Sequence, residues 1–204
     1  MGTLANNLIH KGYLKTDLII DAFSEINRAE FVPDKFRIAA ASDIPISIGH
    51  GQLLPEPSVL SFMLELLRPR RNQDVLVVGF GGGWIVALLS YIVGADGHVT
   101  AIDMISSLKD EAMENISKYN FIARDNIAEL QLIHNSDDIS TEKKYERIIV
   151  INPELWELYD YAQLLQEGGV MVAPIDNIIS YFNNRGEEEE MVEERFDSIR
   201  FLPE

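Results

Sequence analysis

The chain has 204 residues, 47% of them apolar, which is enough for one substantial core and does not demand a second. Its 17 basic and 33 acidic residues leave a formal charge of -16, which disfavours long-range attraction to nucleic-acid phosphates or anionic lipid. No cysteine is present, so disulfides, thiolate zinc sites and a cysteine nucleophile are excluded, and residues 1–15 lack the basic-then-apolar layout of a signal peptide, which makes a cytoplasmic location the default.

Residues 16–26 read as an amphipathic helix, with Thr16 as cap candidate and apolar residues at 19, 20, 23 and 26 on one face. Arg28-Ala-Glu-Phe31-Val32-Pro33 ends it. Residues 38–52 carry few periodic signals and read as a long loop or lid. Pro55-Glu56-Pro57 then leads into a helix over 58–67, since proline in a first helical turn gives up an N–H that had no helical partner.

The chain is organised around Asp74-Val-Leu-Val-Val-Gly79-Phe-Gly81-Gly82-Gly83-Trp84. Val75 to Val78 is a β-branched apolar run suited to a parallel strand buried on both faces, and a helix is expected from about Trp84. Glycines in the turn allow positive φ and let a ligand approach the backbone, while the helix start presents unpaired N–H groups. Residues 98–103 form a second strand ending in Asp103, a carboxylate suited to the two hydroxyls of a ribose. Two rivals stand beside this nucleotide cradle. No charge lies between Asp74 and Asp96, and Arg68, Arg70 and Arg71 precede them, as in a membrane span; the run of glycines opposes a spanning helix. A glycine turn also serves packing alone, and the dinucleotide pattern G-x-G-x-x-G fails because its last glycine would fall at Trp84.

Downstream, residues 106–120 read as a helix with acids near its start. Strands are expected over 130–133, 147–151 and 169–173, with a helix over 154–166 between the last two. Alternating strands and helices predict an α/β fold with a doubly wound, mostly parallel, Rossmann-like sheet, connections on both faces, and a ligand at the carboxyl ends of the strands near Gly79. Residues 178–182, 191–196 and 199–202 suggest antiparallel C-terminal strands, with the acid run 187–190 a solvated turn. A single domain over 1–204 is expected: an N-terminal helical and lid part over 1–70, an α/β core over 71–175 and antiparallel strands over 176–204. His10, His50, His98 and His134 lack metal-ligand spacing, and no metal is expected.

Taken together, these residues resemble the protein-L-isoaspartate O-methyltransferase family, with its class I S-adenosylmethionine-dependent methyltransferase fold. Arg28-x-x-Phe31-Val32-Pro33 matches the family's R-x-x-F-V-P, and Asp43-x-Pro45-Ile-Ser-Ile48-Gly49-x-Gly51-Gln52 matches its D-x-P-L-x-I-G-x-G-Q. Asp74-Val-Leu-x-x-Gly79-x-Gly81-x-Gly83 matches the cofactor motif, and residues 89–99 follow L-x-x-x-V-G-x-x-G-x-V. Leu165-x-x-Gly168-Gly169-x-x-Val172-x-Pro174 and Arg200-Phe201-Leu202-Pro203 continue the match. The resemblance implies S-adenosylmethionine as cofactor and methyl transfer to the carboxylate of isoaspartyl residues in damaged proteins, so that a protein or peptide is the partner. It places Gly79, Gly81, Gly82, Gly83, Asp103 and Ser136 at the cofactor, and Gly51, Gln52, Leu53, Pro55 and Glu56 in a substrate-facing lid. An ionised carboxylate acceptor needs no strong general base, so a missing catalytic His or Lys carries no weight.

Several positions depart from the family. Its T-I-S-Q-P, whose serine lies at the reaction centre, is here Leu53-Leu54-Pro55-Glu56-Pro57, which leaves the catalytic residue unassigned and sets Glu56 near an anionic acceptor. Val77 stands where an acid opens the cofactor motif, Ser136 beside Asp137 where the family has G-D-G, and Ala41 where it has tyrosine. Three functions therefore compete: an isoaspartyl methyltransferase with an altered lid, a methyltransferase for another substrate, and a non-catalytic binding or interaction protein on the same fold. Asn152-Pro153-Glu154 partly matches the N-P-P-Y of amino-group methyltransferases, in favour of the second. Nothing in the sequence sets the oligomeric state.

Overall fold

The computed structural model describes residues 4–125, 127–134, 138–152, 158–186 and 192–201. Seven helices are described: α1 (Leu4–His10), α2 (Asp17–Glu25), α3 (Pro57–Leu67), α4 (Trp84–Val93), α5 (Ser106–Ser117), α6 (Asn120–Arg124) and α7 (Leu158–Ala162). Nine strands are described: β1 (Ile46–Gly49), β2 (Gln52–Leu54), β3 (Asp74–Val78), β4 (His98–Asp103), β5 (Ala128–Leu132), β6 (Tyr145–Val150), β7 (Leu165–Ile175), β8 (Ile178–Asn183) and β9 (Val192–Arg200). β1 and β2 pair as a separate hairpin, and the rest form one sheet in the order β5-β4-β3-β6-β7-β8-β9. The pairs from β5 to β7 are parallel and the last two antiparallel.

Side chains of β3 alternate between two cores, as the pleat requires. Val75 and Val77 join the larger core with Leu8, Ile19, Leu64, Leu88, Leu108 and Ile122 from α1 to α6. Leu76 and Val78 join the smaller with Ile148, Val150, Met171 and the α7 residues Tyr161 and Ala162. Both faces being covered explains why β3 reads as an unbroken apolar run. α4 is buried almost all round and follows a glycine turn, which accounts for the uncharged stretch that resembled a membrane span; among the described residues no helix is long and apolar enough to cross a membrane.

The structure departs from the sequence-based expectations in local detail. Residues 38–52 are not a plain loop: a short 3-10 turn, Ala39–Ala41, precedes the hairpin of β1 and β2. Thr16 makes no side-chain cap for α2; instead the Glu65 carboxylate of α3 accepts from Lys15 N at 2.8 Å, Thr16 N at 2.9 Å and Thr16 Oγ1 at 2.7 Å, placing a negative charge at the start of α2. α5 has no acid in its first turn, and the helix expected over 106–120 breaks before α6. The segment expected to be helical through residue 166 already enters β7 at Leu165, and the two expected C-terminal strands are one, β9, with a register irregularity where it leaves β8. The acid run 187–190 lies outside the described residues.

Candidate active site

In the sheet order, β3 and β6 are neighbours whose connections leave in opposite directions, the arrangement that opens a crevice beyond the carboxyl ends of parallel strands. A cavity of about 500 Å³ lies there. Gly79 and Gly81 after β3, Asp103 at the end of β4, and Ile151 and Asn152 after β6 line it. Ile48, Gly51, Gln52 and Leu53 of the hairpin form a further wall, and Pro174, Asp176, Asn177 and Phe201 another. Asp176 and Asn177, with φ of 48° and 64°, make the two-residue turn that closes β7 on β8, a conformation that Asn and Asp tolerate best after glycine.

Strand ends meet closely at the first glycine. Gly79 N donates to Ile102 O at 2.8 Å, and a Cβ built on Gly79, at φ 84°, would stand 2.6 Å from Asn152 Cβ. Gly81, at φ 50°, donates its N–H to Asp103 Oδ2 at 3.3 Å. Asp103 Oδ1 accepts from Met104 N at 2.8 Å and Ile105 N at 3.2 Å. The carboxylate is thus fixed by its own loop and 2% exposed, yet it lines the cavity and Oδ2 holds only the longest of these bonds.

The structure separates the other predicted residues. Gly82 and Gly83 are not in the cavity lining and serve close packing: a Cβ on Gly82 would lie 3.0 Å from Phe31 O, and one on Gly83 3.1 Å from Ile116 Cγ2. Ser136 lies outside the described residues. Pro55 is buried and lines a small adjoining hollow with Leu54, Phe80 and Ile85. Glu56 is not in the lining, contrary to the expectation that its charge faces the acceptor; its Oε2 is buried without a hydrogen-bond partner among the described residues, and desolvation pushes its pKa up, with Asp43 adding to the effect and Arg28 opposing it. Val77, which replaces the family's acid, is fully buried in the core. Of the Asn152-Pro153-Glu154 run, Asn152 lines the cavity and the other two lie outside the described residues.

Sequence reasoning passed over Arg28 as anything but part of a motif. It is 2% exposed, and its guanidinium donates to four carbonyls: Nη1 to Ala40 O and Ser42 O at 3.3 and 3.1 Å, and Nη2 to Ile44 O and Pro55 O, both at 2.9 Å. The signal was there in a lone arginine flanked by apolar helix and Phe-Val-Pro, but burial of its charge is decided by residues far along the chain. Desolvation draws its pKa down to about 10, against the opposing pull of Asp43 and Glu56, so it remains charged at neutral pH.

The model of the protein-L-isoaspartate(D-aspartate) O-methyltransferase family matches residues 2–204. The chain is 32% identical over 178 residues to the protein-L-isoaspartate O-methyltransferase of Ignicoccus hospitalis, covering 87% of this chain and 82% of that protein. It is 30% identical over 203 residues to that of Methanococcus maripaludis, covering 97% and 92%. Its fold is similar to a crystal structure from Plasmodium falciparum, described as a protein-L-isoaspartate O-methyltransferase in complex with S-adenosyl-L-homocysteine, with a TM-score of 0.80 at 16% identity over 98% of this chain and 95% of that one. A family match that spans residues 2–204 means that the chain belongs to the protein-L-isoaspartate(D-aspartate) O-methyltransferase family.

Proposed function

We propose that the chain binds S-adenosylmethionine in the cavity at the strand ends and transfers its methyl group to the carboxylate of an isoaspartyl residue in a protein or peptide. The observation that carries this is the convergence of Gly79, Gly81 and Asp103 with the hairpin residues Gln52 and Leu53 around one cavity, in a chain of this family. The site fits the cofactor. Its volume of about 500 Å³ is of the size that takes a nucleoside-bearing ligand, the turn offers backbone without Cβ atoms at Gly79 and Gly81, and Asp103 has acceptor capacity left for hydroxyl donors.

Bound there, S-adenosylmethionine supplies a methyl group on a positively charged sulfur. The chain's task is alignment and exclusion of water, because the acceptor carboxylate is already ionised at neutral pH. Ile48, Leu53, Ile151, Pro174 and Phe201 give the cavity an apolar surround, and the hairpin covers it from one side. Among the described residues no Lys or Arg lines the cavity, and Gln52, Asn152 and Asn177 are the amide-bearing residues that do. Leu53 and Pro55, in place of the family's Thr and Ser, remove two hydroxyls from this region, and that observation favours the non-catalytic reading as the second choice.

The test is transfer of labelled methyl to an isoaspartyl peptide and to its aspartyl counterpart, paired with calorimetry of wild type and Asp103→Asn. Transfer to the isoaspartyl peptide alone is expected. Asparagine keeps an acceptor oxygen for the loop, so the variant should stay folded while binding the cofactor about tenfold or more weakly, the loss of one hydrogen bond to a charged group. Cofactor binding without transfer would move the chain to a methyltransferase for another substrate or to the non-catalytic reading, and no binding would remove the cofactor from the site.

A further inference from the structure

The hairpin of β1 and β2 supplies one wall of the cavity, and it stands apart from the main sheet, so something else must hold it in place. Its tip meets α5 through His50, whose Nδ1 is 3.2 Å from Ser107 Oγ and whose Nε2 is 3.7 Å from Glu111 Oε1, all exposed groups of the kind that contribute little. Its base is different. The same Nη2 of Arg28 bonds Ile44 O and Pro55 O, the two carbonyls that flank the hairpin on either side, at 2.9 Å each. Nη1 holds the preceding turn through Ala40 O and Ser42 O.

The guanidinium also reaches the end of the glycine turn. Its Cζ stands 5.2 Å from the ring centroid of Trp84, the first residue of α4 and the end of the glycine turn. Arg28 belongs to the 3-10 turn Arg28–Phe31, whose last carbonyl lies against Gly82, while Ile48 of the hairpin lies against Gly81, 3.2 Å from where a Cβ would stand. A single buried, planar cation therefore fastens both feet of the hairpin and seats them on the glycine turn. Asp43 and Glu56 provide the balancing charge, and Asp43 Oδ1 accepts from Ser58 N at 2.9 Å near the start of α3.

We infer that Arg28 is a positioning residue for the reaction: acting through the hairpin, it sets Gln52 and Leu53 across the cavity from Gly81 and Asp103 and so controls how well the cofactor and acceptor are enclosed. This rests on the methyl-transfer reading of the site. Lysine cannot replace arginine in this role, because one ammonium on a flexible stem cannot present the planar fork whose Nη2 meets both feet while Nη1 holds the preceding turn.

The experiment is amide hydrogen exchange on full-length wild type and Arg28→Lys, with S-adenosylhomocysteine affinity and the separate kcat and KM of methyl transfer. Exchange in β1 and β2 should rise about tenfold or more in the variant while β3 and β4 keep wild-type protection, since the hairpin and the turn before it lose their anchor and the sheet does not. KM should rise with the weakened enclosure and S-adenosylhomocysteine should bind more weakly. A uniform loss of protection across hairpin and sheet, or unchanged exchange in the hairpin, overturns the inference. Should Arg28→Lys not fold, Arg28→Gln, which leaves two N–H donors and no buried charge, serves the same comparison; failure of both to fold assigns Arg28 to the core alone and also overturns it. The exchange readout needs neither cofactor nor acceptor. A locally loosened hairpin in a chain that methylates nothing would thus keep Arg28 as the anchor of the hairpin but sink the reading of the reaction, and with it the positioning role.

Discussion

Glu56 shows how a residue that looks like a defect in the substrate region behaves as part of the scaffold. Its carboxyl lies beneath the hairpin in the company of Arg28 and Asp43, and desolvation is the larger influence on it, so the folded chain holds its proton more tightly than the unfolded chain does. The sign of the pH dependence follows. A carboxyl with a raised folded-state pKa contributes stability that is complete below its unfolded pKa and is lost as pH rises through the raised value. Glu56→Gln keeps the neutral shape at every pH, so its melting temperature should exceed that of wild type by more at pH 7 than at pH 4. Equal differences at the two pH values would mean that the carboxyl gives up its proton at no cost, which its burial without a partner for Oε2 contradicts.

At the scale of elements, the glycine turn joins three pieces by close approach, and Gly82 isolates that contribution. Its φ is one that other residues adopt, unlike Gly79, Gly81 and Gly83, so Gly82→Ala tests contact alone. The added Cβ would meet the Phe31 carbonyl at 3.0 Å, so the turn Arg28–Phe31 must give by a few tenths of an ångström, and because buried Arg28 pins that turn the change should cost about 1–3 kcal/mol, the range for overpacking, measured by urea unfolding with unchanged slope. The elements on either side of this turn were the legible part of the molecule. β3, α4 and β4 announce themselves through unbroken apolar runs and the acid at Asp103, because their burial is two-sided and local pattern suffices to encode it. The hairpin was not legible, since strands of four and three residues around a turn with positive φ at Gly49, His50 and Gly51 carry too few alternations to distinguish from loop. Nor was the work of Arg28 legible: its partners span residues 40 to 55, and only the folded chain brings those carbonyls to one guanidinium. The division of the glycines, two lining the cavity and two packing against neighbouring elements, depends likewise on contacts with Phe31 and Ile116 that lie far away in sequence.

For the molecule as a whole, the excess of acid has a consequence for which acceptors it meets. With a formal charge of -16, and with Asp103 and Asp176 at the cavity, of which only Asp176 is ion-paired among the described residues, to Arg195 at 3.8 Å, the field around the site is expected to attract cations and repel an acceptor that is itself a carboxylate. An isoaspartyl residue flanked by lysines carries its own compensation, whereas one flanked by glutamates adds to the repulsion. Peptides identical except for those flanks should therefore differ in KM, the lysine-flanked one being the better, with little difference in kcat because the flanks lie outside the reacting atoms. Salt separates this field from specific contacts. As ionic strength rises from about 0.01 M to about 1 M the Debye length falls from about 30 Å to about 3 Å, so the ratio of the two KM values should shrink toward one. A ratio that persists at high salt would place the preference in direct contacts with the flanking residues. Absence of any preference at low salt would mean that the charge is distributed away from the mouth of the cavity.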